Sequence, residues 1–94
     1  MVLTTSGRYV AERLRARSYR YGLADNAIDE VLRGYRDTGF GYVDYVEQQG
    51  YGISLSSPSV VVLEILRHPH TRLLTYTEQG WNSHQDAVAY QCKL

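Results

Sequence analysis

Apolar residues recur at helical spacing through the first third of the chain. In residues 8–21, Val10 and Leu14 lie one helical turn apart, and Gly22 suits the left-handed cap that ends many helices. Residues 25–36 show the same spacing more completely, with acidic residues early and basic residues late, as the helix dipole prefers. The pattern predicts two N-terminal helices that meet at a glycine-containing corner.

Residues 40–49 carry a pattern that fits two different structures. Their tyrosines and valines would form one stripe on a helix. Gly39 and Gly41, just before that stripe, weaken a helix and favour a strand that turns at residues 48–50. We predict a third helix here and keep the strand as the alternative. Residues 51–55 then read as extended.

The strongest strand signal in the chain lies at residues 60–66, which are continuous, apolar and rich in β-branched side chains. Residues 71–77 read as a second strand, and the polar stretch 67–70 between them reads as a turn. The three segments together predict an antiparallel hairpin of residues 60–77.

The end of the chain shows a helix-start signal. Ser83 is followed three residues later by Asp86, which resembles the reciprocal cap found at helix N-termini. Residues 83–92 are therefore predicted as a short C-terminal helix.

These elements predict an α+β fold in a single domain of residues 1–94: two to three N-terminal helices, an antiparallel β-hairpin or small sheet, and a short C-terminal helix. A chain of this length buries only about 60–65% of its unfolded surface, so a partner or a second copy can add stability. The predicted hairpin of residues 60–77 is apolar on both faces, and its edge offers a route to a homodimer.

The formal net charge of zero hides a segregation of charge along the chain. Residues 1–24 hold five arginines against one glutamate, whereas residues 25–64 hold seven acidic residues against two arginines. Residues 65–94 hold three basic residues against two acidic ones. The balance argues against a basic nucleic-acid coat and against an acidic disordered tail.

Arginine and tyrosine dominate the polar contact chemistry. Nine of the ten basic residues are arginine and nine residues are tyrosine, two types that are enriched at binding surfaces. Arg13, Arg17 and Arg20 follow helical spacing on the first predicted helix and are predicted to contact an anionic partner surface. The alternative is that acidic residues of the second helix pair with them. Tyr76 and Trp81 are the other predicted partner-binding residues, although such a Trp commonly folds back over the edge of a core.

Four side chains are of the types that bind transition metals, namely His68, His70, His84 and Cys92, and their spacing matches none of the standard zinc patterns. We therefore expect no metal and no cofactor. The sequence also lacks a phosphate-binding loop, and its Ser-His-Gln-Asp stretch does not by itself give the geometry of a catalytic triad. An enzyme is the class that the sequence favours least.

The expected location is the cytoplasm. A single cysteine forms no internal disulfide, which is typical of a reducing compartment. The longest aliphatic run, at residues 60–63, is far shorter than a membrane span, and residues 1–6 lack the charged and apolar order of a secretory signal. No membrane association is expected.

Part of the chain resembles helix-turn-helix proteins. Ser18, Gly22, Leu23, Ile28 and Val31 stand at the positions where that motif has a small residue, a corner glycine and three apolar residues. The resemblance implies a DNA-binding transcriptional regulator.

Residues 43–53 similarly resemble the end of a winged-helix recognition helix that runs into its wing. The two resemblances assign DNA reading to different helices. Both candidate helices carry carboxylates, Asp29 and Glu30 in one and Asp44 and Glu47 in the other, which repel phosphates.

The sequence thus favours a small non-enzymatic binding protein, an inhibitor or adaptor that docks on a larger protein or nucleoprotein complex. Compact inhibitors of host defence encoded by phages or mobile elements have a similar composition. The alternative is a winged-helix or helix-turn-helix regulator, with DNA as its partner.

Overall fold

The computed structural model describes residues 1–92 as an α+β chain with three helices and five strands in two antiparallel sheets. The molecule is elongated, with principal extents of 44 × 25 × 23 Å. The elements in chain order are β1 (Val2–Thr5), α1 (Arg8–Arg15), α2 (Asp25–Thr38), β2 (Phe40–Tyr45), β3 (Gln48–Ser56), α3 (Pro58–Leu66), β4 (Thr71–Trp81) and β5 (Gln85–Cys92).

The first hydrophobic core lies between α1, α2 and the β2–β3 hairpin. Val10 and Leu14 of α1, Ile28 of α2 and Leu55 of β3 are fully buried there. The helix α2 packs directly on the backbone of β2 at Gly41, where an added Cβ would lie 2.1 Å from a carbonyl oxygen of the helix. A glycine is therefore required for this close approach.

The second core lies between α3 and the three-stranded sheet, whose strand order is β1–β5–β4. Val61 and Ile65 of α3 pack with Val88 of the central strand β5. Leu3 and Leu73, on the two outer strands, flank this cluster and are half-buried. The chain thus divides its apolar residues between two small cores.

The first helix is shorter than the predicted 8–21. It ends at Arg15, and residues 16–24 connect it to α2. Arg17 has a left-handed φ of 56°, and the N–H groups of Arg17 and Ser18 donate to the carbonyls of Leu14 and Arg13. This is the paired bonding of a Schellman cap, with an arginine at the position that usually holds glycine.

The predicted helix at residues 40–49 is wrong, and the strand alternative is correct. The inward side chains alternate, with Val43 of β2 paired to Ile53 of β3. The chain reverses at residues 46–47, where Glu47 has a φ of 59°, and not at residues 48–50, which already belong to β3. The same finding removes the recognition helix from the winged-helix resemblance, because residues 43–53 form most of a hairpin.

The predicted strand at residues 60–66 is also wrong, because these residues form α3. The Ser57 hydroxyl accepts a hydrogen bond from the Val60 N–H at 3.2 Å, and Pro58 occupies the first helical turn. Serine as N-cap and proline at the first position both favour a helix start. The hairpin of residues 60–77 therefore does not exist, and the homodimer predicted through it has no such edge.

Residues 85–92 form the strand β5 instead of the predicted C-terminal helix. β5 pairs with β1 on one side and with β4 on the other, so it is the centre of its sheet. Asp86 is buried and accepts hydrogen bonds from β4, and Ser83 lies in the β4–β5 turn with a φ of 53°. The predicted capping pair is therefore divided between a turn and a strand.

The helix-turn-helix residues have mixed placements. Leu23, Ile28 and Val31 are buried as that motif requires, but nine residues connect the two helices, whereas the motif uses a turn of about three or four. Within residues 1–92, no helix is both long and apolar enough to cross a membrane.

Candidate protein-binding surface

Two of the predicted arginines pair with acidic residues at the start of α2. Arg17 Nη2 lies 2.7 Å from Asp29 Oδ1, and Arg20 Nη1 lies 2.6 Å from Asp25 Oδ1. The hydrogen bond from Arg20, with Arg17 nearby, holds the pKa of Asp25 below its usual value. These two side chains fix the α1–α2 connection, which is the pairing that the sequence left as its alternative.

Arg13 has a different environment, because it lies over tyrosine rings. Its guanidinium is 4.9 Å from the centroid of the Tyr19 ring and 5.4 Å from that of Tyr9, and its Nη1 donates to the Tyr9 hydroxyl at 3.0 Å. Arginine over an aromatic face is held by the quadrupole of the ring. Arg13 is thus fixed in position and still half-exposed.

The tyrosines continue to the β4–β5 turn through His84. The Tyr21 hydroxyl lies 2.9 Å from His84 Nε2, and the His84 ring meets the Tyr9 ring edge-on at 5.4 Å between centroids. Burial raises the pKa of Tyr21 above its usual value. The Tyr21–His84 contact connects positions 63 residues apart in the chain, and with the Tyr9–His84 contact it docks the turn against α1 and the connection that follows α1.

Trp81 lies at the end of β4, before the same turn, and 61% of it is exposed. Its carbonyl accepts the N–H of His84 at 3.0 Å, which joins the backbone at Trp81 to the tyrosine cluster. Tyr19 is 52% exposed. We refer to the group around this turn as the aromatic–arginine surface; it consists of Tyr9, Arg13, Tyr19, Tyr21, Trp81 and His84.

Tyr76, in contrast, belongs to the interior of the sheet. It is half-buried, and its hydroxyl donates to Asp86 Oδ2 at 2.5 Å. Burial, followed by this hydrogen bond, raises the pKa of Tyr76 well above its usual range. The structure gives this predicted binding residue a role in satisfying a buried carboxylate.

A groove of about 260 Å³ runs beside the aromatic–arginine surface, between the β4–β5 turn and the outer edge of β3. The Ser56 N–H points away from β2, since it donates to the Ser6 carbonyl at 2.9 Å. Backbone polar groups alternate in direction along an antiparallel strand, so those of Ser54, two residues away, face the same way. The rings of Tyr21 and Tyr45 line the groove with them, and it presents both hydrogen-bonding and aromatic groups.

A bidentate ion pair fastens α1 to β4 near this region. Arg8 Nε and Nη2 donate to the two carboxylate oxygens of Glu78, each at 2.5 Å. The hydrogen bond from Arg8 lowers the pKa of Glu78 below its ordinary value. The pair holds the helix that carries Arg13 against the strand that carries Trp81.

The residues of the types that bind metals are scattered over the structure. In the described part of the chain, no three His, Cys, Asp or Glu side chains come close enough together to hold a metal ion. His68 and His70 lie at the α3–β4 connection, whereas His84 lies among tyrosines and Cys92 is exposed at the end of β5. The aromatic–arginine surface instead offers large rings, a fixed cation and polar tips.

Comparison of the chain with family models, with curated proteins and with solved structures finds no match.

Sequence reasoning identified Arg13 and Trp81 but missed the other four members of the aromatic–arginine surface. The sequence did carry one signal for this surface, namely two tyrosines, Tyr19 and Tyr21, placed two residues apart. Their ring centroids lie 4.6 Å apart in the turn that follows α1. The long-range contact of Tyr21 with His84 has no local sequence signal.

Proposed function

We propose that the protein is a non-enzymatic binding protein, an inhibitor or adaptor, that docks on a larger protein through the aromatic–arginine surface. The observation that carries the proposal is the exposure of Tyr19 and Trp81, each by more than half, together with an arginine that tyrosine rings hold in place. Tyr, Trp and Arg are the residue types that dominate binding energy at protein interfaces. Little conformational entropy is lost on binding when such side chains are held in advance.

The neighbouring groove supports the same function. The backbone groups of Ser54, which face away from β2 by this alternation, offer pairing to an extended segment of a partner, which is a recurrent mode of peptide recognition. The proposed location of the protein is the cytoplasm. The specific function proposed is inhibition of host defence by a protein that a phage or mobile element encodes. The larger partner is then a protein or a nucleoprotein complex.

A partner-retention experiment tests the proposal. The purified chain is immobilised and incubated with an extract of cells from its source, and the retained proteins are quantified for the wild type and for the Tyr19→Ala, Trp81→Ala double variant. Loss of about 2 kcal/mol at each hot-spot residue weakens binding by about thirtyfold per site, so the retained partner should disappear. The matched control is Leu63→Ala, at an equally exposed apolar residue on α3.

Equal retention by the double variant and the wild type would refute the proposal. Retention of duplex DNA at about 50 mM salt, lost at higher salt and unchanged in the double variant, would favour the regulator instead, because phosphate contacts weaken steeply with salt.

A further inference from the structure

The cleft between α1 and α2 brings together three arginines that take no part in the ion pairs of Arg17 and Arg20. It has a volume of about 520 Å³ and is lined by Arg15, Asp29, Leu32, Arg33 and Arg36. Its one acidic member, Asp29, is already paired with Arg17 at 2.7 Å. The lining therefore holds three cations around a carboxylate that is engaged elsewhere.

The three arginines differ in their pairing. Arg36 Nε lies 3.0 Å from the neighbouring Asp37, and this pair is exposed. Within residues 1–92, Arg15 and Arg33 make no ion pair. The positive charge of Arg15 also acts on Tyr35, where it opposes the rise in pKa caused by burial. Two unpaired cations thus face one cleft.

We infer that this cleft binds a carboxylate side chain of the partner protein, with an adjacent apolar residue placed against Leu32. The lining carries three guanidinium groups and one carboxylate that Arg17 already pairs, so a further compact anion offsets the excess of positive charge. Arginine binds a carboxylate through two parallel hydrogen bonds, which suits a single acidic side chain. The inference rests on the proposed function only in that the partner is a protein.

The surrounding charge selects a compact anion over a polyanion. Asp25, Glu30 and Asp37 are exposed on the same helix as Arg33 and Arg36. A phosphate backbone that extended along α2 would meet these carboxylates, whereas one acidic side chain would not. Leu32 adds an apolar contact that a phosphate chain does not use.

The test is a titration of the full chain with a blocked hexapeptide of alternating glutamate and leucine, followed by the arginine Nε–Hε signals in NMR spectra. We expect saturable shifts at Arg15 and Arg33 at low salt. The Arg15→Gln, Arg33→Gln double variant should bind at least tenfold more weakly, since each charged hydrogen bond is worth about a factor of ten. The matched control, Arg72→Gln on β4, should bind as the wild type does, because Arg72 lies outside the cleft.

Three results would overturn the inference. They are equal binding of the corresponding glutamine–leucine peptide, equal binding by the Arg15→Gln, Arg33→Gln variant, and displacement of the acidic peptide by duplex DNA at a lower concentration than the peptide itself requires. The Tyr19→Ala, Trp81→Ala variant separates the two proposals. If it binds the acidic peptide normally but retains no partner, both stand; if it still retains the partner, only the proposed function fails.

Discussion

At the scale of single residues, the buried carboxylate of Asp86 shows how polar groups specify this fold. It is fully buried, and it accepts the Tyr76 hydroxyl at 2.5 Å and the Gln79 N–H at 3.0 Å. The space beside it is filled by Gly7, where an added Cβ would lie 2.1 Å from a carboxylate oxygen. A buried polar group is tolerated only when it is hydrogen-bonded, so this network fixes how β4, β5 and the start of α1 meet.

Removal of the Tyr76 hydroxyl should lower the free energy of unfolding. In Tyr76→Phe the buried carboxylate loses one of its two protein donors, and we expect a loss of about 1–3 kcal/mol in urea denaturation. The matched control is Tyr42→Phe, since the Tyr42 hydroxyl donates to Asp44 on an exposed face. That change should cost less than about 0.5 kcal/mol. Equal losses in the two variants would mean that the Asp86 network is not a specific determinant of the fold.

At the scale of elements, α3 shows that a local helix-start signal can override the preference of β-branched residues for a strand. Residues 60–66 are β-branched and apolar, yet they are helical because Ser57 and Pro58 begin a helix and because Val61 and Ile65 fall on one buried face. The outer side of α3 is also apolar, with Leu63 exposed by 66%, so periodicity could not distinguish this helix from a strand. The choice depends on the cap and on the sheet beneath.

The Ser57 cap should therefore make a measurable contribution to stability. In Ser57→Ala the Val60 N–H loses its side-chain acceptor, and we expect the free energy of unfolding to fall by about 1 kcal/mol. Chemical denaturation followed by circular dichroism measures it. Ser54→Ala, at an exposed serine of β3, is the matched control and should be nearly neutral. An unchanged stability in Ser57→Ala would show that packing alone selects the helix.

Elements with a clear local pattern could be predicted from the sequence, and elements defined by tertiary pairing could not. The sequence predicts α2 at residues 25–36 because the apolar and polar faces of this segment are cleanly separated. The observed helix extends over Asp25–Thr38. β5 was missed because it is a central strand whose inward positions include Asp86, and that residue resembles a local cap until the strands on both sides are known. The contact of Tyr21 with His84 likewise depends on the tertiary fold.

At the scale of the whole molecule, two small cores are joined by polar contacts between distant segments. Arg8 of α1 pairs with Glu78 of β4, and the Ser56 N–H at the end of β3 donates to the Ser6 carbonyl beside β1. The elongated shape follows from this arrangement of two cores side by side. Ion pairs at the surface contribute to holding the halves together, and their protonation links stability to pH.

Acidification should therefore destabilise the protein through Glu78 and Asp25. The pKa of each is lowered in the folded state, by hydrogen bonds from Arg8 and Arg20 respectively. A lowered folded-state pKa gives stability that is present above the unfolded-state pKa and is lost as pH falls through the folded-state pKa. The melting temperature should thus decline from about pH 5 to about pH 3, and less steeply in Glu78→Gln. An identical pH profile for Glu78→Gln would contradict this role of the Arg8–Glu78 pair.

The most direct test of the protein-binding account is site-specific photocrosslinking in cells of the source. Tyr19 and Trp81 on the aromatic–arginine surface, and Leu63 on α3 as an equally exposed control, are each replaced by p-benzoylphenylalanine. Adducts after irradiation are identified by mass spectrometry. The account predicts a covalent adduct with the same protein from positions 19 and 81 and none from position 63. Adducts with DNA, or the same protein adduct in equal yield from all three positions, would contradict it.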